Sequence, residues 1–179
     1  DDDIKIAVKE WCDEDNNDEY HVKATVKYGH ISKWNTSLVT NMNHLFEGKR
    51  DFNDDISKWN VSNVTDMSYM FSVGWFGSHN FNGNISEWDV RKVINMSHMF
   101  QINKTFKGDL SGWDVSNVKD MSEMFSGTPF DGDISGWNVS SVTNMRFMFS
   151  YTPFDGDISG WQIQDSCATN KMFDECPIQ

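Results

Sequence analysis

The chain is 179 residues long and 14% aromatic, with a mean hydropathy of -0.58 and a formal charge of -12. No apolar run approaches the roughly 18 residues that a transmembrane helix requires, so membrane insertion is not expected. The acidic excess disfavours a nucleic-acid partner, because holding a phosphate backbone relies on Lys and Arg releasing counterions.

The chain opens on Ile4, Ala7, Val8 and Trp11, spaced i, i+3, i+4 and i+7. That spacing predicts an amphipathic helix over the first dozen residues, able to close the end of whatever follows. Asp1 to Asp3 suit the positive N-terminal end of such a helix. The polar run from Asp13 to Glu19 reads as a loop. Residues 1–28 are thus expected to form an N-terminal cap.

Tryptophans then recur at Trp34, Trp59, Trp88, Trp113, Trp137 and Trp161, at intervals of 25, 29, 25, 24 and 24 residues. Each heads one phrase, clearest as Ile134-Ser135-Gly136-Trp137-Asn138-Val139-Ser140-Ser141-Val142-Thr143-Asn144-Met145-Arg146-Phe147-Met148-Phe149. Self-similarity at this period marks stacked repeats, in which neighbouring copies cover one another's apolar faces. Within a copy, Trp59 and Val61 alternate as in a strand, whereas Val64, Met67, Met70 and Phe71 share one helical face, with Ser62 placed as an N-cap.

The expected fold is therefore an α/β, leucine-rich-repeat-like solenoid of about six coils, with one short strand and one short helix per coil. The repeats proper occupy 29–156. Residues 157–179 read as a C-terminal capping copy, since Ser166 and Thr169 stand where other copies carry Val and Met. Everything belongs to a single structural domain. The Trp, Met and Phe ladders are expected to be core.

The 29-residue interval comes from an insertion near Ser72-Val73-Gly74-Trp75-Phe76-Gly77-Ser78-His79. Trp75, Phe76 and His79 are candidate ligand-binding residues, because aromatic side chains on a glycine-flanked loop can anchor a protein or glycan; the alternative is that the loop folds over a coil and buries them. Repeated Phe-x-Gly-Asp turns place Asp131, Asp133, Asp155 and Asp157 as a candidate calcium cluster. The favoured reading of those carboxylates is that each caps its own turn by bonding nearby backbone N–H groups. Seven Asn-x-Ser/Thr sequons occur, of which Asn103, on a loop, is the expected glycosylation site. Of three cysteines, Cys167 and Cys176 enclose a short loop and are expected to pair in an oxidising compartment.

The phrase Trp-Asp/Asn-Val-Ser-Asn-Val-Thr-Asp/Asn-Met-Ser-x-Met-Phe, almost whole at Trp59 to Phe71 and Trp113 to Phe125, resembles the BspA-like surface-protein repeat catalogued in mycoplasma lipoproteins and other microbial surface proteins. The resemblance spans Tyr28 to Phe173. It implies a secreted or cell-surface protein used in adhesion or recognition, with a host, matrix or cell-surface protein or a glycan as partner, and it carries no catalytic residues. No enzyme signature is present: the repeated Gly-Asp-Ile-Ser-Gly lacks Gly-x-Ser-x-Gly spacing, and no phosphate loop or His-Glu-x-x-His occurs. A non-enzymatic recognition domain without a cofactor, calcium aside, is the leading expectation. The rivals are an acidic structural domain binding calcium or mineral, and an enzyme with a site across several coils.

Overall fold

The computed structural model describes residues 1–12, 18–73, 77 and 79–177, with backbone alone at 18–21. Helix α1, Asp2–Trp11, buries Ile4, Ala7, Val8 and Trp11, the face that the spacing predicts. A second helix, α2, Asp18–Tyr28, begins inside the stretch expected to be loop. Lys27 of α2 reaches back to both carboxylate oxygens of Glu10 at 3.0 Å. A single 3-10 turn follows at Ile31–Lys33.

From there the α/β expectation fails. Among the described residues there is no strand, and no helix after Lys33. The chain instead runs as successive irregular coils joined by isolated parallel bridges, Asn41 to Asp66, Asp66 to Asn95, Asn95 to Asp120, Asp120 to Asn144 and Asn144 to Ala168, with a further one from His79 to Asn103.

The backbone donors of one coil show why. The N–H groups of Met121, Glu123, Phe125 and Gly127 donate to Asn144, Arg146, Met148 and Ser150 of the next coil at 2.8–3.1 Å. Between them, Met124, Ser126 and Thr128 donate to the carbonyls three residues earlier, and the N–H of Ser122 goes to the Asp120 carboxylate. Every donor from Met121 to Thr128 is satisfied, alternately across the stack and within a three-residue turn. A helix would need all of them for itself. The Met-x-x-Met spacing that suggested a helical face is the spacing of these turns: Met67 and Met70 are both buried, and Met70 donates to the Met67 carbonyl.

The half expected to be a strand is also built of turns. Trp59 and Val61 do bury on one side, but the Trp59 N–H closes onto Ile56 and the Val64 N–H onto Val61 rather than onto a neighbouring strand. Asp or Asn residues hold these turns, as when Asp133 accepts from both the N–H and the hydroxyl of Ser135.

Side chains carry the same register into the interior. Phe46, Phe71, Phe100, Phe125, Phe149 and Phe173 stack at 5.5–5.9 Å, and a second column, Phe52, Phe81, Phe106, Phe130 and Phe154, stacks beside it at 6.0–6.4 Å. Each indole N–H from Trp59 to Trp161 donates to a carbonyl of the preceding coil, so the large buried ring has no unsatisfied donor. Helix α1 lies over the first coil. The Asp1 carboxylate accepts from the N–H groups of Thr40 and Asn41, and the Trp11 indole donates to Asp54.

Candidate functional site

Several positions of the repeat change from copy to copy, and one of them is the x of Met-Ser-x-Met-Phe. It is occupied by His44, Tyr69, His98, Glu123, Phe147 and Lys171. All six have left-handed backbones, with φ between +53° and +57°. For a side chain larger than glycine this costs about 1–2 kcal/mol. The conformation persists because the N–H of each of the first five is tied to the next coil and closing turns lie on either side.

Parallel stacking brings these residues into a single column. The His44 ring stacks on Tyr69 at 4.7 Å, and Tyr69 on His98 at 4.2 Å, with planes within 8°. His98 Nδ1 is buried without a hydrogen-bond partner and lies 3.7 Å from Glu123 Oε2. That carboxylate also accepts from the Gln101 amide. Lys171 Nζ sits 5.7 Å from the Phe147 ring and 3.3 Å from Asp174. Burial, followed by Glu123, Glu47 and Asp120, pushes the Tyr69 phenol above its ordinary range. The strip thus runs from imidazole and phenol rings through a carboxylate to an aromatic ring and an ammonium.

Most residues singled out from the sequence lie elsewhere. Trp75 and Phe76 fall outside the described residues. His79 is fully buried: its Nδ1 accepts from the Phe81 N–H, which leaves Nε2 to donate to the Phe46 carbonyl at 3.1 Å. Burial lowers its pKa to about 4. It is a neutral packing residue, not a ligand contact.

Asn103 is not open to glycosylation either. It is fully buried, its Nδ2 donates to the Phe81 carbonyl at 2.8 Å, and its Oδ1 accepts from the N–H groups of Thr105 and Phe106. His79, Asn103, Thr128 and Thr152 play one part in successive coils, each accepting from the N–H of the second-column Phe that follows.

Cys176 continues that series, its thiol donating to the Phe154 carbonyl at 3.1 Å. Cys167 instead fills the place where interior copies bury valine: its N–H closes onto Gln164 as Val142 closes onto Val139. At this turn alone the sixth copy is offset by one residue from the alignment that put Ser166 there, since Ala168, Met172 and Phe173 keep the 24-residue register. No disulfide joins Cys167 to Cys176, because each thiol belongs to a different interior column.

The acidic turns do not converge. Asp133 and Asp157 are occupied by Ser135 and Ser159, whose hydrogen bonds hold both carboxyls below the usual range, and Asp131 accepts from the Asp155 N–H. Among the described residues, no group of three or more His, Cys, Asp or Glu side chains could hold a metal ion. No described helix is long and apolar enough to cross a membrane.

One family model, described as Mycoplasma protein of unknown function, DUF285, matches residues 17–129 and 73–178. The chain belongs to this family. The two matches overlap over 73–129, as they do when a repeat fits its model in more than one register. No curated protein and no solved structure matched. In this DUF285 chain the constant residues of the phrase are accounted for by coil packing and turn closure, and x is among the positions that vary. The sequence held that signal, a variable position inside a fixed phrase, but gave no sign that six copies would meet on one surface.

Proposed function

We propose that this DUF285 domain is a non-enzymatic, extracellular or cell-surface recognition module, akin to the BspA-like repeats, that engages a protein or glycan through the column from His44 to Lys171. The observation that carries the reading is the left-handed, in-register display of one variable position of the repeat, with its rings stacked from His44 to His98. A constant scaffold then presents changeable chemistry, the arrangement by which repeat proteins vary their binding face. Stacked rings beside a carboxylate offer both the apolar surface and the polar contacts such ligands need.

The test is a glycan and matrix-protein binding array read with the unaltered chain, a Tyr69→Ala/His98→Ala variant and a Trp75→Ala variant. Binding lost with the double substitution, at unchanged thermal stability, supports the column. Binding that survives it and falls only with Trp75→Ala moves the function to the inserted loop.

A further inference from the structure

Equivalent rings of successive coils do not keep one spacing across the section. They lie 4.2–4.7 Å apart from His44 to His98, 5.5–5.9 Å apart in the first phenylalanine column and 6.0–6.4 Å apart in the second. The coils are closest where backbone N–H groups such as that of Tyr69 cross to the next coil, and they fan apart toward the tryptophans, where Trp137 and Trp161 are 6.4 Å apart. The variable column is therefore the inner line of an arc, the side on which stacked repeats present a surface to long ligands. The Tyr69 ring is covered on both faces by His44 and His98, so ring edges are what this strip shows to solvent. The Tyr69 hydroxyl and the Nε2 atoms of His44 and His98 have no partner among the described residues. Carboxylates stand beside them, Glu47 at 2.7 Å from His44 Nδ1 and Glu123 at 3.7 Å from His98 Nδ1. Burial, and after it Glu123, Glu47 and Asp120, hold the Tyr69 phenol above its ordinary range, so it stays a neutral hydroxyl in a negative field.

Taking the column as the binding face, the basis of the proposed function, we infer that its ligand is a neutral, extended polysaccharide of equatorially linked sugars, lying along the column with about one ring to each coil. Polar ring edges and carboxylates occur together along the strip, and a sugar hydroxyl both donates and accepts, so a polyhydroxyl chain can answer each in turn. The negative field at Tyr69 and the formal charge of -12 act against sulfated or uronic chains. Spacing favours the same ligand. An extended peptide laid along the column presents same-side residues about every 6.6 Å, out of step with rings 4.2–4.7 Å apart. A helix has a closer step, about 5.4 Å per turn, but it docks by driving apolar side chains into a groove, and the strip from His44 to Glu123 offers polar edges instead. An equatorially linked sugar chain is flat and extended, and it advances by one ring length per unit, close to the step from one coil to the next.

Isothermal titration of the full chain with β-linked glucose oligomers, from cellobiose to cellohexaose, tests the inference. Affinity rises about threefold or more with each added ring, because each further coil contributes at least one hydrogen bond. Maltohexaose, whose α-linkages curve the chain, and sulfated cellohexaose bind about tenfold more weakly or worse. Tyr69→Phe keeps the stacked ring and removes only the hydroxyl, so cellohexaose binds it about threefold more weakly at an unchanged melting temperature. A role for Tyr69 in packing alone would leave that affinity where it was. Affinity that stops rising beyond cellobiose, equal binding of maltohexaose, or tighter binding of the sulfated hexamer overturns the inference. So does the absence of oligosaccharide binding at about 10 mM when a protein ligand from the array is still lost with Tyr69→Ala/His98→Ala. The column then remains the binding face and holds a polypeptide. If ligands of both kinds bind and neither responds to substitutions in the column, the binding face lies elsewhere, and the proposed function fails together with the inference.

Discussion

The indole of Trp137 donates to the carbonyl of Leu110 at 3.0 Å, across the boundary between two coils. A buried indole donor is thereby satisfied by the neighbouring copy, at a carbonyl that also accepts from the Trp113 N–H at 3.0 Å. Replacing Trp137 with Phe keeps an aromatic ring but removes one of the two hydrogen bonds to the Leu110 carbonyl and leaves a void where the larger ring lay. Chemical denaturation should register a loss of about 2–4 kcal/mol. A loss under about 0.5 kcal/mol would mean that water reaches that carbonyl.

His79 makes stability depend on mildly acidic pH. Its pKa is about 4 in the folded chain against 6.5 for a free imidazole, so between these values the unfolded chain binds more protons. The contribution is fully present above pH 6.5 and is lost as pH falls toward 4, amounting to about 3 kcal/mol. Urea midpoints across this window should fall for the unaltered chain and stay nearly flat for His79→Gln. The acidic turn residues act lower. Ser135 holds Asp133 below its usual 3.8, so the stability it gives is present above that value and is lost as pH drops further.

Gly132 is fixed by close approach. A Cβ there would lie 2.9 Å from two atoms of the Phe130 ring, which is itself stacked between Phe106 and Phe154. Gly132→Ala should cost about 1–3 kcal/mol by displacing that ring. The same change at Gly136, which has open space around it, should cost little. Equal melting temperatures for the two variants would contradict the packing described.

Glu123 tests the left-handed column. Glycine adopts φ near +53° without a Cβ clash, so Glu123→Gly should leave stability unchanged or raise it by up to about 1 kcal/mol, even though the contacts to Gln101 and His98 are lost. Ligand binding through the column should weaken in the same variant. A clear fall in melting temperature would show that the carboxylate holds the coil together rather than facing a partner.

Much of the interior was legible in the sequence, because burial follows from what a side chain is. Trp59, Val61, Val64, Met67, Met70 and Phe71 all lie in the core, as their recurrence implied. The candidate site was legible only in outline. The sequons and acidic turns were visible as residues, but Asn103 turned out to be an interior hydrogen-bonding group, and Asp133 a turn closure. Each was misread because its partner, Phe81 in one case and Ser135 in the other, is chosen by the path of the backbone.

By itself, then, the sequence determined the period, most of the interior residues and the face of α1. It could not determine whether a three-residue spacing closes into a helix or into open turns. That choice depends on where each N–H finds its acceptor, and for Met121 the acceptor is Asn144, on the next coil. Only the tertiary structure brings that carbonyl into reach. Once it does, strands and helices are lost and the variable side chains from His44 to Lys171 line up on one surface.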